Sequence, residues 1–113
     1  MEKVFVYIWE YIVKAEKKSE FERVYGPDGE WVKLFKQGAG YLGTELHRET
    51  SNTQRYLTVD YWASKKARDN FREKFAEEFT KLDKQCETLT EMESFLGDFE
   101  SYSNIPGNRM INN

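Results

Sequence analysis

The sequence predicts an α+β domain in which one antiparallel sheet packs against helices. Three observations predict it: a strand-like N-terminal stretch, two stretches with the three-to-four-residue spacing of amphipathic helices, and polar turns that bound further strands. The chain has 113 residues, enough for one domain that buries about two thirds of its unfolded surface. We assign residues 1–100 to this domain and residues 101–113, which have no periodicity, to an irregular tail.

The first predicted strand, residues 3–13, has apolar side chains on both faces. One face carries Val4, Val6, Ile8 and Ile12, and the other carries Phe5, Tyr7, Trp9 and Tyr11. Because both faces are apolar, we expect this strand to lie at the centre of the sheet and to be covered on both sides.

The first predicted helix is interrupted. Ser19 is expected to cap it, and the sequence GPDG at residues 26–29 breaks it before it resumes with Trp31. Two interpretations stay open. The break bends the helix outward and opens a pocket mouth with Trp31 as its lip, or it is an ordinary surface turn and Trp31 packs into the core.

The second half of the chain predicts a hairpin, a long helix and a last strand. Residues 41–49 and 54–63 form the hairpin around the polar turn TSNT, and Ser64 is a favourable N-cap for the helix. A capping-box pattern predicts one short turn at residues 90–93, and residues 94–100 form the last strand. The helix has an apolar stripe made of Ala67, Phe71, Phe75, Phe79, Leu82, Cys86 and Leu89.

The resulting order, β-α-β-β-α-β, is the ferredoxin-like arrangement, a four-stranded antiparallel sheet with two helices on one face. The other face is left bare, and Val4, Val6, Ile8, Leu57 and Val59 predict that it is apolar. The simplest cover is a second copy of the chain, so we expect a homodimer through the sheet face.

Composition argues against several classes of function. The 17 basic and 20 acidic residues are interspersed without a basic patch, so we do not expect a nucleic-acid partner. The N-terminal stretch is neither a signal peptide nor long enough to span a bilayer, so no membrane partner is expected. The single cysteine, Cys86, fits a reducing compartment, and we expect a cytoplasmic protein.

Three stretches resemble one family: GYLGTEL at residues 40–46, VDYWAS at residues 59–64 and SFLGDFE at residues 94–100. Over residues 3–100 the chain is similar to the antibiotic biosynthesis monooxygenase superfamily, whose members are dimeric α+β barrels. The resemblance implies that two sheets close a barrel at the dimer interface and that each protomer keeps a pocket between its own sheet and helices. It also implies that Trp62 is the pocket tryptophan.

The layout that the resemblance implies indicates which of the aromatic residues, which make up 16% of the chain, lie on the pocket side. Strand periodicity places Asp60 beside Trp62 on the pocket side. A symmetric hairpin would pair His47 with Tyr56 and Glu45 with Thr58. His47 and Glu45 would then share the pocket side, although one extra loop residue would reverse this. The expected substrate pocket comprises Tyr7, Trp9, Tyr11, Trp31, Phe71 and Phe75.

Oxygenation without a cofactor needs a dry aromatic pocket, a base and donors for the developing oxyanion. Asp60 is a candidate base if burial raises its pKa, and His47 is another. Candidate donors are Tyr7, Tyr11 and the Trp62 indole. The plainer alternatives are that Asp60 accepts hydrogen bonds beside the helix that starts at Ser64, that His47 is solvated, and that the aromatic side chains are core.

Other chemistry is not expected. In the haem-degrading members of this family, a histidine of the second helix binds the iron and an asparagine of the first strand assists. Phe71 and Trp9 lie at or near the matching positions of this chain, so we expect no haem. The sequence shows neither a metal site nor a phosphate loop. Two functions stay open: a cofactor-independent monooxygenase acting on a small aromatic or quinol-type substrate, and a non-catalytic small-molecule binder or structural dimer of the same fold.

Overall fold

The structure is a computed structural model, and it describes residues 3–102. Within these residues the chain forms four strands and four α-helices, with short 3₁₀ turns at Ala15–Lys17 and Glu87–Leu89. The strands are β1 (Val4–Val13), β2 (Tyr41–Arg48), β3 (Arg55–Trp62) and β4 (Thr90–Ser101). The helices are α1 (Lys18–Tyr25), α2 (Glu30–Phe35), α3 (Lys65–Lys74) and α4 (Ala76–Cys86).

The four strands form one antiparallel sheet in the order β2-β3-β1-β4. The predicted ferredoxin-like arrangement is therefore confirmed, with β1 between β3 and β4. The predicted division of β1 is also found, since Tyr7 and Tyr11 belong to the buried core and Phe5 and Trp9 pack against it. The helices cover this inner face, and the opposite, outer face carries the alternate residues of each strand.

The helices differ from the prediction at two places and agree with it at a third. The first helix starts at Lys18 after a 3₁₀ turn, so Ser19 lies inside it and is not its cap. Ser64 does cap α3, because its Oγ accepts a hydrogen bond from the Ala67 amide at 3.0 Å. The long second helix is two helices, α3 and α4, because Phe75 leaves helical geometry with φ −109° and ψ 28°.

The short turn predicted at residues 90–93 is wrong. Strand β4 already begins at Thr90, and Met92 and Glu93 pair with Ile12 and Tyr11 of β1. A capping box is a local preference, and here the backbone groups are satisfied instead by the neighbouring strand. Only Ser101 and Tyr102 of the predicted tail are described, and Ser101 ends β4; the rest of the tail lies outside the described residues.

The predicted pairing of the hairpin is also wrong, by one residue. Thr44 lies opposite Asp60 and His47 lies opposite Leu57. The loop contains one residue more than a symmetric turn around TSNT would have, and it is closed by a hydrogen bond from the Glu49 amide to the Arg55 carbonyl. Because side chains alternate, this shift moves His47 and Glu45 to the outer face and brings Thr44 to the inner face.

Candidate active site

A cavity of about 200 Å³ lies between the inner face of the sheet and the helices. Sixteen of the described residues line it. Nine are aromatic: Tyr7, Trp9, Tyr11, Tyr25, Trp31, Phe35, Trp62, Phe71 and Phe79. Seven are polar: Thr44, Thr58, Asp60, Arg68, Arg72, Asp83 and Glu93. The cavity is therefore a flat-sided aromatic space with a small number of charged groups, as is usual for ligand sites.

The structure brings together most of the residues that the sequence assigned to a site. The seven that line the cavity are Tyr7, Trp9, Tyr11, Trp31, Asp60, Trp62 and Phe71. His47 does not line it, because the shifted register leaves this side chain on the outer face, where it is 54% exposed. Phe75 does not line it either, since it lies at the kink between α3 and α4 and its ring stacks on Phe71.

The interruption at residues 26–29 does not line the cavity. Trp31 is 7% exposed and belongs to the core, in agreement with the interpretation of a surface turn. The glycines are required by close packing, because a Cβ on Gly29 would overlap the Val24 carbonyl oxygen. The turn therefore lets the chain pass closely over the end of α1.

Asp60 is the central polar group of the cavity. Its side chain accepts a hydrogen bond from Thr44 Oγ1 at 2.7 Å, across the hairpin. This partner differs from the helix start that the sequence suggested, because the first turn of α3 is capped by Ser64. Burial raises the pKa of Asp60 to about 6, although the Thr44 hydrogen bond and the Arg68 charge act in the opposite direction.

Thr44 connects Asp60 to a third side chain. The Tyr41 hydroxyl lies 2.6 Å from Thr44 Oγ1. Since Thr44 gives its only hydroxyl proton to Asp60, Tyr41 must donate to Thr44. Burial raises the pKa of Tyr41 to about 12, so that this donor keeps its proton at neutral pH. The chain Tyr41–Thr44–Asp60 thus fixes the orientation of the carboxyl group.

Trp62 and Tyr7 are neighbours of Asp60 on the inner face, Trp62 along β3 and Tyr7 on β1. Trp62 is 2% exposed and packs among the rings of Phe35, Tyr41 and Phe71, with centroids 5.3–6.1 Å away. Tyr7 pairs with Asp60 across β1 and β3. The Tyr7 hydroxyl is buried and has no hydrogen-bond partner among the described residues, so it is available to a ligand.

Sequence reasoning missed the charged residues of the helices and of β4 that line the cavity. Arg68 and Arg72 lie one turn apart on α3, on the face that also carries Phe71. The spacing with Phe71 was a usable signal, but charges on an amphipathic helix are usually solvated. Asp83 of α4 and Glu93 of β4 complete the set, and burial together with Asp83 raises the pKa of Glu93.

Among the described residues, no group of three or more His, Cys, Asp or Glu side chains could hold a metal ion. None of the helices within residues 3–102 is long and apolar enough to cross a membrane.

The fold and the cavity together define a class of protein: a small ferredoxin-like α+β domain with an aromatic pocket between its own sheet and helices. Residues 4–81 match the sequence model of the antibiotic biosynthesis monooxygenase family. The chain belongs to this family.

Solved structures from other organisms share the fold. A candidate antibiotic biosynthesis monooxygenase from Bordetella bronchiseptica is similar with a TM-score of 0.70 and 18% identity, over 90% of this chain and 100% of the other. SnoaB, a cofactor-independent oxygenase from Streptomyces nogalater, is similar with a TM-score of 0.66 and 20% identity, over 92% and 98% of the two chains. NE2512, a protein of unknown function from Nitrosomonas europaea, has a TM-score of 0.67 and 10% identity, over 89% and 91%. The search of curated proteins gave no match.

Proposed function

We propose that the protein is a cofactor-independent monooxygenase that acts on a small aromatic or quinol-type substrate in the inner cavity. The observation that carries the proposal is Asp60, a buried carboxyl group with a pKa raised to about 6 in an aromatic cavity. At neutral pH such a group is mostly ionised and still binds a proton well, which is what a general base needs. We assign Asp60 as the base.

The reaction needs only the substrate and dioxygen. Asp60 removes a proton from an activated CH₂ or a phenolic group, and the resulting anion transfers an electron to dioxygen. Recombination forms a carbon–oxygen bond and a peroxide, which takes a proton. For a CH₂ substrate, loss of the second hydrogen together with hydroxide gives a carbonyl group and water. One oxygen atom enters the product, and the other leaves as water.

The cavity offers groups for each step of this reaction. The aromatic walls exclude water and fit a planar substrate. The buried Tyr7 hydroxyl can donate to the developing oxyanion. The Thr44 hydrogen bond holds Asp60 in one orientation during proton transfer.

The family supports the proposal, and SnoaB shows that this fold can host an oxygenase that needs no cofactor. At 20% identity the likeness to SnoaB concerns the fold, so the chemistry rests on the cavity. A structural dimer whose aromatic side chains only fill the core would not need open space beside Asp60 and Trp62. The volume there favours a protein that binds a ligand in the cavity, and the buried carboxyl group of Asp60 favours an enzyme over a non-catalytic binder.

For the assembly we propose a homodimer through the outer face of the sheet. This face has an apolar part, where Val6, Ile8 and Phe99 lie, and Phe99 is 47% exposed. Its other part is polar, because Arg55 pairs with Glu10 at 2.6 Å near the hairpin. Light scattering of the wild type should give a molecular mass twice that of one chain. The Phe99→Asp variant should have the mass of a single chain, and a monomeric wild type would contradict the proposal.

The test of the function is oxygen uptake by the purified, metal-free protein with anthrone-type and hydroquinone substrates. We expect uptake above the spontaneous rate, which Asp60→Asn abolishes. Glu45→Gln is the matched control, since Glu45 lies on the same hairpin but on the outer face. Uptake equal to the spontaneous rate for every substrate, or unchanged in Asp60→Asn, would contradict the proposal.

A further inference from the structure

We propose that Arg68 and Arg72 form an anion-binding end of the cavity, and that the substrate is a planar aromatic acid whose carboxylate they hold. The inference names the substrate class of the proposed enzyme and rests on that proposed function. Two observations support it: both guanidinium groups lie over aromatic rings of the cavity, and acidic partners for them are scarce.

Both guanidinium groups lie over aromatic rings inside the cavity. The Arg68 guanidinium carbon is 4.3 Å from the centroid of the Tyr7 ring, and that of Arg72 is 3.9 Å from the centroid of the Phe79 ring. Contacts of this kind hold the flat face of a guanidinium and leave its N–H edge free to bind other groups. Two parallel N–H groups match the two oxygens of a carboxylate.

Acidic partners for this pair are scarce. Among the described residues Arg72 has no ion pair, and the ion pair of Arg68 is a 3.7 Å contact with Asp69, which is half exposed. Burial and the neighbouring Arg68 charge lower the pKa of Arg72, while Asp83 and Asp69 act in the opposite direction. Two partly buried like charges one helical turn apart repel each other, and a bound anion would relieve the repulsion.

The rest of the cavity gives such an anion one orientation. Tyr7 lies opposite Asp60 in the sheet, and Tyr11 lies opposite Glu93. Tyr7 and Tyr11 are four positions apart along β1, which is a distance of about 13 Å at the usual rise of a strand. Arg68 lies at the Tyr7 end, over the Tyr7 ring, and Arg72 lies one turn further along α3, over the Phe79 ring. Glu93 lies at the Tyr11 end with Asp83 close to it. The two guanidinium charges outnumber the single Asp60 carboxylate that lines the cavity near Tyr7, so a substrate carboxylate is attracted to the arginines and repelled from Glu93.

Binding at this end would also help the proposed base. The Arg68 charge lowers the pKa of Asp60. A substrate carboxylate bound to Arg68 would neutralise that effect, and the pKa of Asp60 would rise. The substrate would thus increase the proton affinity of the group that deprotonates it.

The experiment is a calorimetric comparison of 2-naphthoate with 2-naphthamide, which has nearly the same shape and no charge. Neither compound is turned over, so binding is measured apart from catalysis. We expect wild type to bind the acid at least about tenfold more tightly, as for a charge-assisted hydrogen bond. Arg72→Gln and Arg68→Gln should each bring the ratio towards one, and Arg72→Lys should retain part of it.

The matched control is Lys66→Gln. This substitution removes the same charge from the same helix, but Lys66 is exposed and does not line the cavity. It should keep the wild-type ratio. Equal affinities for the two compounds in wild type, no binding of the acid, or a ratio unchanged in both arginine variants would overturn the proposal. The wild-type comparison alone decides it if a variant fails to fold. Oxygen uptake with neutral substrates tests the proposed function separately, so the two failures are distinguishable.

Discussion

The two faces of the β2–β3 hairpin carry carboxyl groups only one residue apart in register, and the groups differ in environment. On the inner face Asp60 is buried in the cavity and accepts one hydrogen bond, from Thr44. On the outer face Glu45 interacts with His47 and with the Tyr61 hydroxyl, both at 3.1 Å. The neighbouring His47 is more than half exposed.

Residue type alone therefore does not identify a base. Glu45 and His47 form the acid–histidine pair that a search for catalytic residues would select first. Within residues 3–102 no helix covers their face of the sheet, so they stay exposed to water and hydrogen-bond to each other and to Tyr61. Asp60 differs because the helices exclude water from its face, and only there does burial raise the pKa. Four predictions test this contrast.

The largest expected effect is on turnover. Asp60→Asn should reduce oxygen uptake at least about a hundredfold, as is usual when a general base is removed. His47→Gln, which removes the titratable group of the other face, should leave turnover unchanged. A large loss in His47→Gln with activity retained in Asp60→Asn would show that the chemistry lies on the outer face.

The next effect is on packing. Trp62→Ala should lower the free energy of unfolding by about 3–5 kcal/mol, because a fully buried ring leaves a cavity. Tyr61→Ala, the adjacent residue on the outer face, should cost less, since its ring lies outside the core between sheet and helices. Urea unfolding at one low protein concentration measures both, which keeps any dimerisation constant. Equal costs would remove the distinction between the faces.

Asp60 should also make stability depend on pH. Its folded pKa of about 6 lies above the ordinary value of 3.8, so the folded state binds the proton more tightly than the unfolded state. The contribution of Asp60 to the free energy of unfolding is therefore fully present below about pH 4 and is lost as the pH rises through 6. The loss is up to roughly 3 kcal/mol, at about 1.4 kcal/mol for each pKa unit. Asp60→Asn should remove this loss, so it should be more stable than wild type at pH 8 and similar at pH 4. Urea unfolding at the two pH values checks the difference, and a less stable Asp60→Asn at pH 8 would contradict it.

The smallest effect concerns the hydrogen bond from Thr44. This bond favours the ionised form of Asp60, so Thr44→Val should raise the pKa of Asp60 above 6. The acid limb of the pH–rate profile for oxygen uptake should move to higher pH. Leu46→Val on the same face does not touch this bond and should leave the limb in place. A shift to lower pH in Thr44→Val would mean that Thr44 does not donate to the carboxylate.

Much of the fold follows from local pattern. The alternation in residues 4–13 predicts a central strand whose Tyr7 and Tyr11 turn inward, and the order of strands and helices predicts the sheet topology. The same alternation places Asp60 and Trp62 on one face of β3, and both line the cavity. These inferences succeed because a period of two or 3.6 follows from backbone geometry and needs no knowledge of distant residues.

The predictions from sequence are wrong where contacts between elements distant in the chain determine the structure. His47 was assigned to the wrong face because the register of β2 depends on one residue in the loop, which no periodicity reveals. The turn at residues 90–93 was mistaken because β1 supplies the hydrogen bonds that a capping box would have supplied. Arg68 and Arg72 were missed because a charged residue on an amphipathic helix gives no sign of whether it points to water or to a cavity.

The secondary-structure elements, their order and the aromatic inner face follow from the sequence, because they depend on side-chain type and local spacing. Tertiary packing determines which carboxyl group is buried, which cations face the cavity and where space remains between the rings. Burial and empty volume belong to several elements at once, and the pKa of Asp60 is set by the helices above it and by a hydroxyl on the next strand.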